Sequence, residues 1–220
     1  MNKQHFEWLK QLPQESKRKT QLLYNTNGTQ VPTDEEIEIW SQFKGVWITF
    51  SIDAAYKKFE LLRVNAKWDQ VLENLRYCTD EVVREKLKHQ SEYGYTNTAI
   101  VMTVHKGNVT DMFDLYEATK HLKWQQRDYI NYNYLYYPES MAVHNMSPRM
   151  MERAIQIFNE KMDILPGGKM KGEAINIRKS LEGFLAGKTH VEDLRPMEKD
   201  AREEINMEDI TFQEDPFIYD

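Results

Sequence analysis

A single cysteine, Cys78, in 220 residues excludes an intramolecular disulfide and a cysteine-based zinc quartet. That usage fits a reducing compartment, and the cytoplasm is the expected location. No run of roughly 18 apolar residues occurs, so no membrane span is expected, and the opening MNKQHFEWLKQLPQESKRK lacks the apolar centre of a signal peptide. The six His stand at 5, 89, 105, 121, 144 and 190, never three or four apart, so no two share a helix face as metal ligands would. PGGK, residues 166 to 169, lacks the rest of a phosphate-binding loop and reads as a connector. No nucleophile, base and orienting group can be nominated. The chain is therefore read as non-catalytic, with no metal and no cofactor.

What is present argues for a folded body. Apolar residues make up 40% of the chain and aromatics 12%, enough to bury a sizeable core and too much for disorder throughout. The net charge of -6 speaks against nucleic acid, since phosphate binding relies on Lys and Arg, but the average hides an asymmetry. Residues 1 to 190 carry 26 basic and 24 acidic groups, whereas residues 191 to 220 carry 3 and 11. Three parts follow: an N-terminal helical or mixed part over 1–110, a helical part over 111–190, and an acidic tail over 191–220.

Periodicity predicts mostly helices. Phe6, Leu9 and Leu12 fall at helical spacing, and the segment is read as helical, with a break at Pro13, through Leu22, Leu23 and Tyr24. Thr33 followed three residues later by Glu36 is a capping box opening a short helix. Trp68, Val71, Leu72, Leu75, Cys78 and Val82 predict another, and Met112, Leu115, Tyr116 and Leu122 a third that Thr110 or Asp111 can cap. GVWITFSID alternates with a period of two, as a strand does, yet Ile37, Trp40, Phe43, Trp47 and Phe50 also fit one long helix, and residues 98–105 are equally open between strand and helix. From Pro148 the pattern is clean: Met151, Ala154, Ile155, Phe158, Met162 and Leu165 line one side, with a last helix through Ala174, Ile177, Leu181, Phe184 and Leu185. The expected class is mainly α, or α+β with two or three short strands, bearing an extended acidic tail.

LKWQQRDYINYNYLYYPESMAVHNMSPRMMERAIQIF, residues 122 to 158, resembles the helix-turn-helix of the sigma-factor region that reads promoter −35 elements, and the related segments of phage regulators and small terminase subunits. The pattern is carried by Met146, Ser147, Pro148, Met151 and Ile155, and upstream by Gln126, Arg127, Ile130 and Tyr134. The chain departs from it in carrying Met141 where a small residue is usual and Asn145 in place of the turn glycine. The resemblance implies a phage or mobile-element origin and contact with double-stranded DNA, with Ser147 as cap and Arg149, Arg153 and Gln156 as the groups that grip or read. The same residues also describe a helix that only packs against the core.

The tail, VEDLRPMEKDAREEINMEDITFQEDPFIYD, is expected to contact a second protein through Phe212, Phe217, Ile218 and Tyr219, with its carboxylates competing for any basic groove. The functional expectation is a DNA-associated adaptor or regulator. The alternative is an interaction protein that inhibits a host enzyme without touching DNA, using the Tyr-rich run near 129 to 137 as its surface. The exposed aromatics also make a homo-oligomer reasonable.

Overall fold

In the computed structural model, which describes residues 3–88 and 94–187, four strands form one sheet in the order β1-β2-β3-β4 with every neighbouring pair parallel. They are β1 (Gln21–Thr26), β2 (Gly45–Ser51), β3 (Tyr95–Val104) and β4 (Ile130–Tyr134). Helices α1 (Lys3–Gln11) and α2 (Gln14–Lys19) precede β1, and α3 (Asp34–Ser41) joins β1 to β2. Helices α4 (Tyr56–Leu62) and α5 (Trp68–Arg76), the latter running into a π-helical stretch Tyr77–Lys86, join β2 to β3. Helix α6 (Met112–Thr119) joins β3 to β4, and α7 (Pro148–Lys161) and α8 (Lys169–Leu185) follow. The chain is α/β, not mainly α or α+β. Among the described residues no helix is long and apolar enough to cross a membrane.

The correction has a local and a non-local cause. Of the runs 46–52 and 98–105, ambiguous by spacing, residues 46 to 51 and 98 to 104 are strand, and so is Leu22-Leu23-Tyr24, which continued a helical pattern. Three-residue apolar runs satisfy both periods, and only the parallel register, Leu22 beside Val46 and Ile48 beside Thr98, decides between them. The segment from Lys123 through the Tyr-rich run, which the helix-turn-helix resemblance makes the first helix, is a loop up to Tyr129, then β4, then a second loop. Ile130, Tyr132 and Tyr134 pair with Ile100, Met102 and Val104, while Asn131 and Asn133 point the other way, a period of two. Residues Glu139–Met141 and Val143–Asn145 are single 3-10 turns, so no helix in 122–147 lies across α7.

Two of the predicted helix starts carry their predicted caps, whereas α6 has no side-chain cap at Asp111. The Thr33 hydroxyl accepts from the Glu36 N–H at 3.2 Å while the Glu36 carboxylate accepts from the Thr33 N–H at 2.7 Å, closing the capping box of α3. Ser147 caps α7 by accepting from the Met150 N–H, with Pro148 in the first turn. Helix α8 starts differently: Gly168 has φ +111, and Asp128, at the entrance of β4, accepts from the Met170 N–H at 3.0 Å. A side chain on Gly168 would meet the Asp128 carboxylate, so glycine is required there on both counts.

Right-handed crossovers that always step the same way across a parallel sheet place every connecting helix on one face, and burial agrees. Val46, Ile48, Phe50, Ile100, Met102, Val104 and Ile130 are buried under helices, and Tyr24 meets His5 of α1 and Trp40 of α3. The other face carries Gln21, Leu23, Asn25, Gly45, Trp47, Thr49, Ser51, Tyr95, Asn97, Ala99, Val101, Thr103, Asn131 and Asn133, of which Gly45, Asn97 and Ala99 are buried. Leu23 is 70% exposed there, Asn25 and Asn133 are exposed, and Trp47, Thr49, Ser51, Val101 and Thr103 are half-buried. Parallel sheets almost always have both faces covered. Among the described residues, the Lys169 ammonium on Asn131 at 2.8 Å is the one side-chain hydrogen bond from a helix to this face.

Candidate functional site

The open face ends, at the carboxyl tips of its strands, in a cluster of polar groups. Asp53 follows β2 on the open-face side; its carboxylate accepts from Arg63 Nη2 at 2.7 Å and from the Thr103 N–H at 2.9 Å. Asn108, wholly buried in the β3–α6 loop, donates from Nδ2 to the carbonyls of Asp53 at 2.8 Å and Thr103 at 2.9 Å, and accepts from the His105 N–H at 2.8 Å. One carboxamide thus ties the ends of β2 and β3 together. Behind it the Lys58 ammonium lies 2.8 Å from the Asp111 carboxylate. Burial raises the Asp111 carboxyl above its ordinary range, and Lys58 opposes that rise. Asp111 therefore serves Lys58 rather than capping α6, which has no side-chain cap. Tyr56, the first residue of α4, sits at φ +53, a strained backbone of the kind that gathers at binding and catalytic sites.

His105 occupies the tip of β3. Its Nδ1 accepts from the Gly107 N–H at 3.0 Å, which in the neutral ring assigns the proton to Nε2. Burial pushes its pKa below the ordinary value; Asp53 pulls it up and Lys58 down. The unfolded chain, with a His pKa near about 6.5, takes up this proton more readily than the folded one. The stabilisation is therefore present above that pH and lost as pH falls through the unfolded value toward the depressed folded one. We expect unfolding free energy to drop between pH 7.5 and 5 more steeply in the native chain than in His105→Asn, measured by urea titration; parallel curves would show that His105 is not held neutral.

A cavity of about 500 Å³ lies on the covered side along β1, between His5, Tyr24, Trp40, Phe50 and Cys78. Tyr24 accepts from Trp40 Nε1 at 3.0 Å and shares a hydrogen bond with His5 Nε2 at 3.0 Å. Desolvation pushes the Tyr24 hydroxyl and the Cys78 thiol each up to about 12, which favours the neutral form of both near neutral pH.

The residues nominated for DNA all lie on or beside α7. Ser147, Arg149, Arg153 and Gln156 are exposed, opposite the buried stripe of Met151, Ala154 and Phe158. Arg153 Nη1 donates to Gln156 Oε1 at 2.7 Å, and Gln156 Nε2 to Glu160 at 2.7 Å, so two of the four are engaged with each other along the helix. Phe212, Phe217, Ile218 and Tyr219 lie outside the described residues. Sequence reasoning passed over Asp53, His105 and Asn108. The available signal was a charged or polar residue directly after an apolar run, which matters only once that run is known to be a parallel strand. Among the described residues no three His, Cys, Asp or Glu converge as metal ligands would. No protein-family model, curated protein or solved structure matches the chain.

Proposed function

We propose that the open sheet face and its carboxyl rim form a binding wall for a small, uncharged polar ligand. The observation that carries this reading is an all-parallel sheet whose strands hold no charged residue and whose second face, among the described residues, leaves Leu23, Asn25 and Asn133 exposed and Trp47, Thr49, Ser51, Val101 and Thr103 half-buried. Open α/β sheets bind ligands beyond the carboxyl ends of their strands, and a layer with helices on one side only has the geometry of a barrel wall, whose ligands sit at the same end. Thr49, Ser51, Thr103, Asn97 and Asn131 offer hydroxyls and carboxamides, and Trp47 offers a flat apolar platform. Asn97 is buried and its Oδ1 has no hydrogen-bond partner among the described residues, the setting of an ordered water beneath this face. Asp53 and His105 close the rim with an acceptor and a donor. The buried, unpaired Cys78 supports a reducing compartment such as the cytoplasm.

Saturation-transfer NMR against a panel of pentoses, hexoses and nucleosides tests the reading. At least one member should bind the native chain and lose its signal in Trp47→Ala and in Thr49→Val/Ser51→Ala. Retained binding in both variants, or no binding by any member, overturns it.

A second reading, contact with duplex DNA, is favoured by one observation: Lys106, Arg149 and Arg153 line a single shallow groove beside α7. Without a crossing helix before α7, these cations would hold phosphates rather than read bases. A mobility shift unchanged by Arg149→Glu/Arg153→Glu at low salt would end it.

A further inference from the structure

The groove between the β3–α6 loop and the first half of α7 has a volume of about 320 Å³, a basic rim of Lys106, Arg149 and Arg153, and an apolar floor that includes Val109, Met150 and Ile157. Among the described residues no carboxylate lines it. Neither Lys106 nor Arg149 forms an ion pair among the described residues, and Met150, a bulky apolar side chain, is 43% exposed. Apolar floor with cationic rim is the form that receives an acidic segment bearing hydrophobic anchors. It differs in chemistry from the uncharged sheet face, so the ligand reading neither requires nor explains it.

We infer that this groove is the docking site of the chain's own acidic segment, residues 191 to 220, with Phe212, Phe217, Ile218 and Tyr219 against the apolar floor and the carboxylates around them on the basic rim. Two independent observations select that occupant. The first is charge: the segment holds 11 acidic and 3 basic residues, against three cations and no acid at the groove. The second is continuity. The last turn of α8 lies beside the turn that leads into the groove, the Phe184 and His144 rings being 6.2 Å apart, and Met146, two residues after His144, lines the groove. The chain therefore leaves α8 next to its proposed site, and about 30 residues at roughly 3.3 Å each reach far past it. Docking covers Arg149 and Arg153, so the segment would act as a competitor of any phosphate-bearing partner at this face.

The test uses the full chain with two cysteines added, Glu152→Cys on the exposed side of α7 and Asp220→Cys at the end; Cys78 is buried and stays silent. Under oxidised glutathione, a non-reducing gel should show a fast intramolecular disulfide in the monomer. The control pair Glu38→Cys/Asp220→Cys, on exposed α3, should not form it. Adding Lys106→Glu, Arg149→Glu and Arg153→Glu should slow the cross-link about tenfold, the combined effect expected of three reversed, solvent-screened pairs. Converting Asp209, Glu214 and Asp215 to Lys in that background should restore it. Equal rates for the α7 and α3 pairs overturn the proposal, as does indifference to charge reversal. A cross-linked dimer in place of the monomer also overturns it, because the occupant is then a second copy.

Discussion

Replacing Asn108 by Ala should cost roughly 3 to 5 kcal/mol of unfolding free energy, since each buried polar group left unpaired costs about 1 to 3 kcal/mol. The truncation removes Nδ2 from the carbonyls of Asp53 and Thr103 and Oδ1 from the His105 N–H, contacts made by a side chain that is itself fully buried while Asp53, Thr103 and His105 are half-buried. The turn's own backbone bonds, Asn108 N–H to the His105 carbonyl and Asp111 N–H to the Asn108 carbonyl, remain and keep the loop from dissolving. The three lost contacts share one side chain, so their energies do not add in full, and the lower end of the range is the better guide.

Asn108→Asp separates shape from chemistry. It keeps the volume and the acceptor but removes both donors and sets a negative charge against two carbonyls, so it should be at least as damaging as Ala. In both variants the ends of β2 and β3 lose their tie, and binding at the rim should weaken while the β1 end of the sheet is untouched. Urea unfolding checks the first statement and the NMR panel the second. A loss under about 1 kcal/mol for Asn108→Ala would mean that water replaces the carboxamide, and that the rim is not the rigid element described.

How much of this was legible beforehand depends on whether the deciding contact is local. The capping box at Thr33 and Glu36, the Ser147 cap and the buried stripe of α7 are set within one or two turns, and all stand as the residues dictate. The sheet was legible only in part. GVWITFS alternates plainly, but YINYNY could be taken as the apolar face of a helix because tyrosine is at home in both, and β1 offers only six residues. Parallel partners lie more than twenty residues apart along the chain, and nothing in a local window reports them. The rim was hidden for the same reason. Asp53, His105 and Asn108 look unremarkable in a chain with 29% charged residues until β2 and β3 are laid side by side.

Phe158→Ala should be the most damaging change in α7, at about 3 to 5 kcal/mol. The ring is fully buried and meets Phe113 of α6 edge to face at 5.3 Å, an arrangement worth about 0.5 to 1.5 kcal/mol beyond the buried area. The cost of the cavity left behind adds to the lost transfer energy. For a domain of this size the loss lowers the melting temperature by about 10 °C, and the urea midpoint should fall with an unchanged slope. On the opposite side of the same helix, Arg153→Ala should stay within about 0.5 kcal/mol, because the guanidinium is exposed and its partner is an amide on the next turn. The pair of substitutions divides α7 into a face that builds the body and a face free to engage something else. If Phe158→Ala proved as mild as Arg153→Ala, α7 would not be seated on α6, and neither the basic groove nor the exit of the chain from α8 beside it would have a fixed geometry.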